Sequence, residues 1–545
     1  MKATMPDLPL TVAGIFDHGR RLHPDSQVVA HSKDAVRRSS FAEVAEEADR
    51  LAVGLKRFGI RPGDRVGTFC WNHIEHLAAY FGVPCMGSVL HTLNIRLFAD
   101  QLAYVINHGE DRIILLDGSL VPKIVEIASQ LTTVEACVVI GEAETAGLPG
   151  TVIAYEDLLG DPGSSFDWPQ IDESDAASMC YTSGTTGDPR GVVYGHRSTY
   201  LQALAQCSGN ALALCEADRV LMVVPMFHAN AWCLPYSSWM AGADMVMPGE
   251  LLQAKPLAQM IGSDRPSFMA AVPTIYKDLI QHGESEKIDL SSVRQALCGG
   301  APVPASLIDA MRDDYGVTML QGWGMTETSP LATLAHPPKG SPPEEDTYWR
   351  AKTGRPIAGV QMRVIDEDGK EMEWDGESVG EIEVRGPWVT TSYYNEDEPE
   401  KFRDGWLRTG DVGYGDSKGF VQLTDRTKDV IKTGGEWISS VELENLLMGH
   451  PEIVEAAVVA VPDQRWDERP LACVVLRQGS SVDAAALSAW LDGQVARWWV
   501  PERWAFIAEV PKTSVGKFDK KVLRRSYSEN ALEVVTLAAP SSPSS

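Results

Sequence analysis

The residues best suited to chemistry form the string Tyr181-Thr-Ser-Gly-Thr-Thr-Gly-Asp-Pro-Arg-Gly191, which follows the apolar run Ala176 to Cys180. A loop this rich in Gly, Ser and Thr offers backbone N–H groups and hydroxyls with little steric bulk, the chemistry that wraps a chain of phosphates. It lacks the G-K-[ST] ending of a Walker loop. A shorter string would read as a surface turn; the length and composition of this one favour an anion cradle. Three further strings follow it. In Gln321-Gly-Trp-Gly-Met-Thr-Glu327 the indole of Trp323 can stack on a nucleobase and the Glu327 carboxylate can hold Mg²⁺. Gly405-Trp-Leu-Arg-Thr-Gly-Asp411 ends on a carboxylate able to accept hydrogen bonds from ribose hydroxyls, and Pro511-Lys-Thr-Ser-Val-Gly-Lys517 sets a lysine on a Gly-adjacent loop near the C-terminus. Taken singly, these three also read as a tight turn with a solvated Glu, an ordinary Gly-Asp turn and a solvated lysine.

Elements able to position such loops are legible around them. A chain of 545 residues exceeds what one hydrophobic core organises, so at least two domains are expected. Residues 42–60 carry apolar side chains at helical spacing and end in a Gly-Ile-Arg-Pro-Gly-Asp turn. Residues 65–70, 112–116 and 136–140 read as strands, and 74–83 as a helix. This alternation implies βαβ units: an α/β fold with a large N-terminal domain of helix-covered, mostly parallel sheets. Near residue 425 the texture changes. After a strand at 420–424 comes a charged, Gly-bearing stretch, 425–436. Ser439 and Glu442 then form an S-x-x-E capping box, with Leu443, Leu446 and Leu447 on one helical face. Strand-like runs at 456–461 and 471–476 and a helix from Ala484 complete a small C-terminal α+β domain. The expected division is 1–425, then 426–535 joined by a hinge, then a disordered tail, 536–545.

Composition narrows the function further. The chain is 44% hydrophobic and 23% charged, with 48 Lys and Arg against 75 Asp and Glu, a formal net charge of −27. So acidic a protein repels nucleic acid and anionic membranes, and no segregated basic patch is evident. Nine cysteines lie scattered between Cys70 and Cys473 with no CxxC pair and no His/Cys cluster. This argues against a disulfide framework or a structural zinc and fits a reducing cytoplasm. The start lacks a basic region followed by an apolar stretch, so no signal peptide is expected, and no run approaches the ~20 apolar residues of a membrane helix.

In this order and spacing the four strings resemble the adenylate-forming superfamily of acyl-CoA synthetases, luciferases and peptide-synthetase adenylation domains, across nearly the whole chain. His228-Ala-Asn-Ala-Trp-Cys-Leu-Pro235 and Lys432-Thr-Gly-Gly-Glu-Trp-Ile-Ser-Ser440 resemble most closely the bacterial medium- and long-chain fatty-acyl-CoA synthetases. The resemblance implies ATP, Mg²⁺ and the acceptor CoA as small-molecule partners, and a homodimer. It implies that Ser183, Gly184, Thr185, Thr186 and Gly187 cradle the phosphates, with Thr182 and Glu327 near Mg²⁺. Gly300, Ala301, Pro302, Gln321, Gly322 and Trp323 would form the adenine slot, and Thr326 would touch the α-phosphate. Asp411 and Arg426 would hold the ribose. Lys428 would be the hinge, Lys432 and Trp437 would approach the nucleotide, and Lys517 would reach in during adenylation. His228 and Trp232 would border the acyl pocket, with Trp232 as its gate; a satisfied core histidine is the alternative for His228. Two positions depart from the superfamily. Arg190 replaces the usual Lys, keeping the charge but bringing a wider planar fork. Trp323 stands where Tyr is common, enlarging the stacking face and removing a hydroxyl.

The expected reaction is attack of a carboxylate on the α-phosphate of ATP, releasing pyrophosphate, followed by transfer of the acyl group. Arg190, Lys517 and Mg²⁺ would offset the charge that develops on the phosphate oxygens. For the second step the small domain would rotate, bringing Gly434 and Gly435 to the pantetheine arm. Phe227, Trp232 and Met325 suggest an apolar acyl pocket, compatible with a fatty, aryl or bulky alicyclic acid. An amide synthetase of the same fold, joining the acyl group to an amine or amino acid, is the alternative. A catalytically silent nucleotide-binding module is a third reading, and intact Glu327, Asp411 and Lys517 argue against it.

Overall fold

A computed structural model describes residues 4–182, 188–426, 429–433, 436–463, 465–512 and 518–537, with only the backbone of Glu436 and Trp437. The first half alternates strand and helix as its periodicity predicts. The helix Phe41–Phe58 opens on a full capping box between Ser40 and Glu43 and ends two residues short of the expected end at Ile60, where Gly59, φ 108°, begins the expected turn. The helix Ile74–Cys85 is buried at all 12 positions. A helix covered on every side belongs in an interior, and its polar side chains Glu75 and His76 are partnered there by Arg37 and Thr68.

Two large sheets form the N-terminal part. One has seven strands in the order Thr151–Ala154, Ala136–Ile140, Asp111–Asp117, Arg65–Phe69, Val89–Thr92, Ala176–Tyr181 and Gly191–Gly195. All neighbours are parallel except the last pair. The second has nine strands, with a parallel centre running from Gln27–His31 through Asp244–Met247, Arg219–Met222, Phe268–Ala271 and Gln295–Gly299 to Thr318–Gly324. Its edges are antiparallel. Parallel strands covered on both faces read as continuous apolar runs, and Ala136–Ile140 is buried at every position. Asn72, in the loop after Arg65–Phe69, joins the two sheets. Its Nδ2 donates to Met222 O (2.8 Å) and Val224 O (2.9 Å), and its Oδ1 accepts from Met226 N (2.8 Å).

A third sheet, five-stranded and antiparallel, spans Gln361–Ile365 to Val421–Arg426 and was not anticipated from the sequence. The strand expected at 420–424 is its last member and continues to Arg426. The fourth sheet, six-stranded and mostly antiparallel, uses only strands between Ile431 and Thr536. The fold is therefore α/β with a large N-terminal part of mixed, largely parallel sheets and a small C-terminal part. In the latter, Ser439 Oγ accepts the amide of Glu442 at 3.1 Å, the hydroxyl half of the expected capping box. Leu443 and Leu447 are fully buried, and Leu446 packs beside them. Thr536, assigned from the sequence to the tail, instead pairs with Arg503 in the sheet, and positions 538–545 lie outside the described residues.

All nine cysteines are free. The fold nevertheless makes a His/Cys cluster that the sequence spacing did not announce: ligand-type atoms of Cys70, His73 and Asp117 lie within 4.8 Å of one another. His73 bridges Asp117 and Glu75 at 3.0 Å each. Burial alone would push its imidazole down, but Asp117 and hydrogen bonds outweigh it and hold the ring well above its usual range. No helix among the described residues is long and apolar enough to cross a membrane.

Candidate active site

The buried strand Ala176–Tyr181 delivers the chain to the Gly/Ser/Thr loop. Thr182 closes the base of that loop: its N–H donates to Arg190 O at 2.9 Å, and its Oγ1 accepts Arg190 N at 3.0 Å. Ser183, Gly184, Thr185, Thr186 and Gly187 lie outside the described residues. At the loop's exit the Arg190 guanidinium lies over the Tyr393 ring, 5.3 Å from its centroid. It pairs with Glu398 and stands 3.6 Å from Glu396.

Beside this base the strand Thr318–Gly324 turns through the short helix Thr326–Thr328 into Leu331–Leu334. Glu327 sits in the turn, 6% exposed, and its Oε1 accepts the Tyr393 hydroxyl at 2.7 Å. Burial first, and then the Glu327 carboxylate, push the Tyr393 phenol far above its ordinary range, so it remains a donor. The Tyr194 hydroxyl holds Thr326 O at 2.7 Å. Glu327 Oε2 and Thr182 Oγ1 are hard oxygen donors of the type Mg²⁺ takes, so these residues fit the ion the superfamily implies.

The expected adenine slot is assembled by strand register, which pairs Cys298 with Gln321 and Gly299 with Gly322. A Cβ on Gly299 would stand 2.7 Å from Gly322 O, so only glycine permits this close pairing. Gly300 follows at φ 81°, which turns the chain away from the strand toward Ala301 and Pro302. Gln321 Oε1 fixes that turn by accepting Val303 N at 2.9 Å. Trp323 Nε1 donates to Asp411 Oδ2 at 3.0 Å, and Arg426 Nε stands 3.4 Å from the other oxygen. Trp323, Asp411 and Arg426 are thus brought together from three strands, although the last two lie in a different sheet from the first.

The acyl-side residues are spread more widely. His228 precedes a run of five non-glycine residues, Ala229 to Cys233, all at positive φ between 42° and 66°. Such backbone costs roughly 1–2 kcal/mol per residue, so it needs an anchor. Asn230 supplies one, its Oδ1 accepting from Thr92 Oγ1 (3.2 Å) and Cys180 Sγ (3.0 Å) and its Nδ2 donating to Ser178 Oγ (2.8 Å). Gln206 Nε2 also donates to Trp232 O at 2.6 Å. The turn is therefore pinned to the strand Ala176–Tyr181. It lays the half-buried Trp232 ring against the backbone of Gly299 and Gly300, where added Cβ atoms would meet it at 3.5 and 3.9 Å. Phe227 instead lies in the core of the seven-stranded sheet, 3% exposed, and Met325 packs on the third sheet, so this trio does not line one surface.

Lys432 Nζ reaches Glu367 at 3.2 Å on the surface. Lys428, Lys517, Gly434, Gly435 and the Trp437 side chain lie outside the described residues. Sequence reasoning missed Tyr393, Tyr194, Asn230 and the Glu396/Glu398 pair on Arg190. Their partners are remote in sequence, and neither a Tyr nor an Asn carries a local signal of which group it will meet.

Residues 16–394 match the family model described as AMP-binding enzyme, and residues 442–517 match the AMP-binding enzyme C-terminal domain. The chain is 41% identical to the 3-methylmercaptopropionyl-CoA ligase of Ruegeria pomeroyi, over 95% of this chain and 97% of that protein. It is 42% identical to the long-chain-fatty-acid–CoA ligase of Thermus thermophilus, over 96% and 97% of the two chains. Among solved structures, the anthranilate CoA ligase AuaEII in complex with anthranoyl-AMP superposes with a TM-score of 0.87 at 27% identity, covering 97% of this chain and all of that one. With both family modules matched in order and relatives aligned nearly end to end, the chain belongs to the AMP-binding enzymes.

Proposed function

We infer that the protein is an AMP-forming acid–thiol ligase that activates an apolar carboxylic acid with ATP and transfers the acyl group to CoA. The observation that carries this reading is the Trp323–Asp411–Arg426 constellation beside the Glu327 turn. It offers a flat aromatic face, a carboxylate for ribose hydroxyls and a second carboxylate at the base of the phosphate loop. The adenine lies between Trp323 and the Gly300 turn, and the ribose shares Asp411 with the indole and guanidinium.

In the first step a substrate carboxylate oxygen bonds to the α-phosphorus, and the bond to the departing pyrophosphate oxygen breaks. No proton need move, since the carboxylate is ionised at neutral pH. Arg190 and Lys517 neutralise charge as it gathers on the phosphate oxygens, and Tyr393 fixes Glu327 by donating to Oε1. Mg²⁺, held by Glu327 and Thr182, supplies further neutralisation of the phosphates when bound. In the second step the CoA thiolate attacks the carbonyl, the tetrahedral species collapses, and AMP leaves. Lys428 is proposed as the pivot that lets one carbonyl meet both reactants in turn. Trp232, whose half-buried indole packs on Gly299 and Gly300, supports an apolar acid, because the face it leaves open is aromatic carbon.

The test is a panel of fatty, thioether and aryl acids assayed for ATP-dependent pyrophosphate release, with CoA and mixed amino acids then added and the products identified by mass. Acid-dependent pyrophosphate release followed by acyl-CoA is expected. N-acyl amino acid without acyl-CoA would make the protein an amide synthetase, and no pyrophosphate release with any acid would end the reading.

A further inference from the structure

The cluster of Cys70, His73 and Asp117 belongs to none of the nucleotide strings, and its place in the seven-stranded sheet is specific. The chain leaves Arg65–Phe69 through the helix Ile74–Cys85 for Val89–Thr92, on one side of that strand. It then crosses by way of the helix Ala99–Gly109 to Asp111–Asp117 on the other side. The carboxyl ends of Arg65–Phe69 and Asp111–Asp117 therefore flank a topological switch point, where open α/β sheets bind their ligands. Phe69 pairs with Leu116 in parallel register, so Cys70 and Asp117 leave the sheet side by side. His73 joins them as the capping residue of the helix Ile74–Cys85.

A thiolate, an imidazole and a carboxylate together suit Zn²⁺, whereas a hard ion such as Mg²⁺ takes oxygens alone. The three donors lie within 4.8 Å of one another, and His73 Nε2 is 3.0 Å from Asp117 Oδ2. Tetrahedral Zn²⁺ sets such donors about 3.4–3.6 Å apart, so side-chain shifts of about 1 Å complete the shell. The surrounding contacts fit as well. Coordination through Nε2 leaves the His73 proton on Nδ1, and Glu75 Oε2 stands 3.0 Å from that nitrogen. Glu75 is in turn held by Arg37. A carboxylate behind the imidazole is the arrangement that orients zinc-bound histidines. In exchange, Nδ1 gives up the amide of His76, which it accepts at 3.2 Å. His73 and Asp117 are each 15% exposed, which gives a cation its way in, while Cys70 is fully buried.

We propose that Cys70 Sγ, His73 Nε2 and a carboxylate oxygen of Asp117 bind one Zn²⁺, with water as the fourth ligand. The ion takes the place of the Cys70 thiol proton and of the proton between His73 and Asp117, and both protons pass to solvent. Asn72, which joins the two large sheets, lies between two of these ligands in the chain, so the ion fastens the loop that carries it.

The test takes the untagged full-length protein, stripped of metal, and titrates it with Co²⁺, whose spectrum reports its ligands. Wild type should bind one equivalent with a sulfur-to-cobalt charge-transfer band and the strong visible bands of tetrahedral cobalt. Zn²⁺ should displace that ion with a Kd of about 1 µM or tighter. Cys70→Ser, close to the same volume, should lose the sulfur band. Glu75→Gln, which removes no ligand, should keep the band and bind Zn²⁺ about 10- to 100-fold more weakly. Excess Zn²⁺ should raise the thermal midpoint of wild type and leave that of Cys70→Ser unmoved. A wild-type spectrum without the sulfur band overturns the proposal. So does a band that survives in Cys70→Ser, which would put the cobalt on another thiol such as the exposed Cys215. Wild-type zinc affinity in Glu75→Gln overturns it too, because the imidazole would then not be bound in the orientation argued here.

Discussion

The indole N–H of Trp323 donates to Asp411 Oδ2 at 3.0 Å, so the aromatic face proposed for adenine and the carboxylate proposed for ribose are held as one unit. A tyrosine at this position, common in the superfamily, carries a hydroxyl in place of the indole N–H. Trp323→Phe keeps a stacking face and loses the donor. The expected outcome is a KM for ATP raised about tenfold, the worth of one hydrogen bond to a charged group, with kcat little changed. ATP titration followed by calorimetry checks it; unchanged affinity would separate the indole from the ribose carboxylate.

Arg190 meets Glu396 and Glu398 before it can meet a phosphate. Each of the three side chains is between 24% and 29% exposed, so their attraction is partly screened. Glu398→Gln removes a competitor for the guanidinium. KM for ATP should fall by about two- to fivefold at low ionic strength and converge on wild type in about 0.5 M salt. A raised KM would mean that Glu398 orients Arg190 rather than occupying it.

The left-handed turn makes two predictions of opposite sign. Ala231, at φ 48° and ψ 39°, adopts a conformation that glycine enters without steric cost. Ala231→Gly should therefore stabilise the protein by about 0.5–1 kcal/mol. Asn230→Ala removes the buried anchor of the same turn and should destabilise it by about 2–4 kcal/mol. Denaturant unfolding measures both, and a shared sign would show that the turn is not under the strain its dihedrals imply.

Acid should weaken the fold through buried neutral histidines. Burial lowers His196 to about 4 and, with the nearby charge of His73, lowers His76 to about 3. The unfolded chain protonates near 6.5, so between that pH and the folded values it binds protons that the native state refuses. Stability is then complete above about pH 6.5 and declines as pH falls toward 4. His196→Asn keeps an acceptor for Val12 N, which His196 Nδ1 now takes at 3.2 Å. Its stability should fall less steeply over this range, by an amount of order 3 kcal/mol at pH 4. Parallel pH curves for the two proteins would count against it.

Much of the scaffold was legible because its signals are local. The buried run Ala136–Ile140 and the Ser439 cap could be read from neighbouring residues alone. The third sheet was not legible. Trp406–Gly415 buries an irregular set of positions and bulges twice against its partners, so no period of two survives to be read. The nucleotide strings were visible as strings, but the groups that fix them were not. Tyr393 reaches Glu327 and Asn230 reaches Cys180 only because separate sheets and loops converge, and nothing near either residue in the chain records that meeting.

The clasp that Asn72 makes between the two large sheets is addressed entirely to main-chain atoms: Met222 O, Val224 O and Met226 N. A bond to a backbone does not read the side chain attached to it. Met222, Val224 and Met226 are themselves buried in the core, so their side chains are held to apolar types by packing, while exchange among such types leaves the three bonds of the junction intact. The limit on these positions is thus set by core packing alone, and the clasp adds none of its own. A library of apolar residues at 223 and 224 with Asn72 held fixed should keep far more folded members than one in which Asn72 alone is varied.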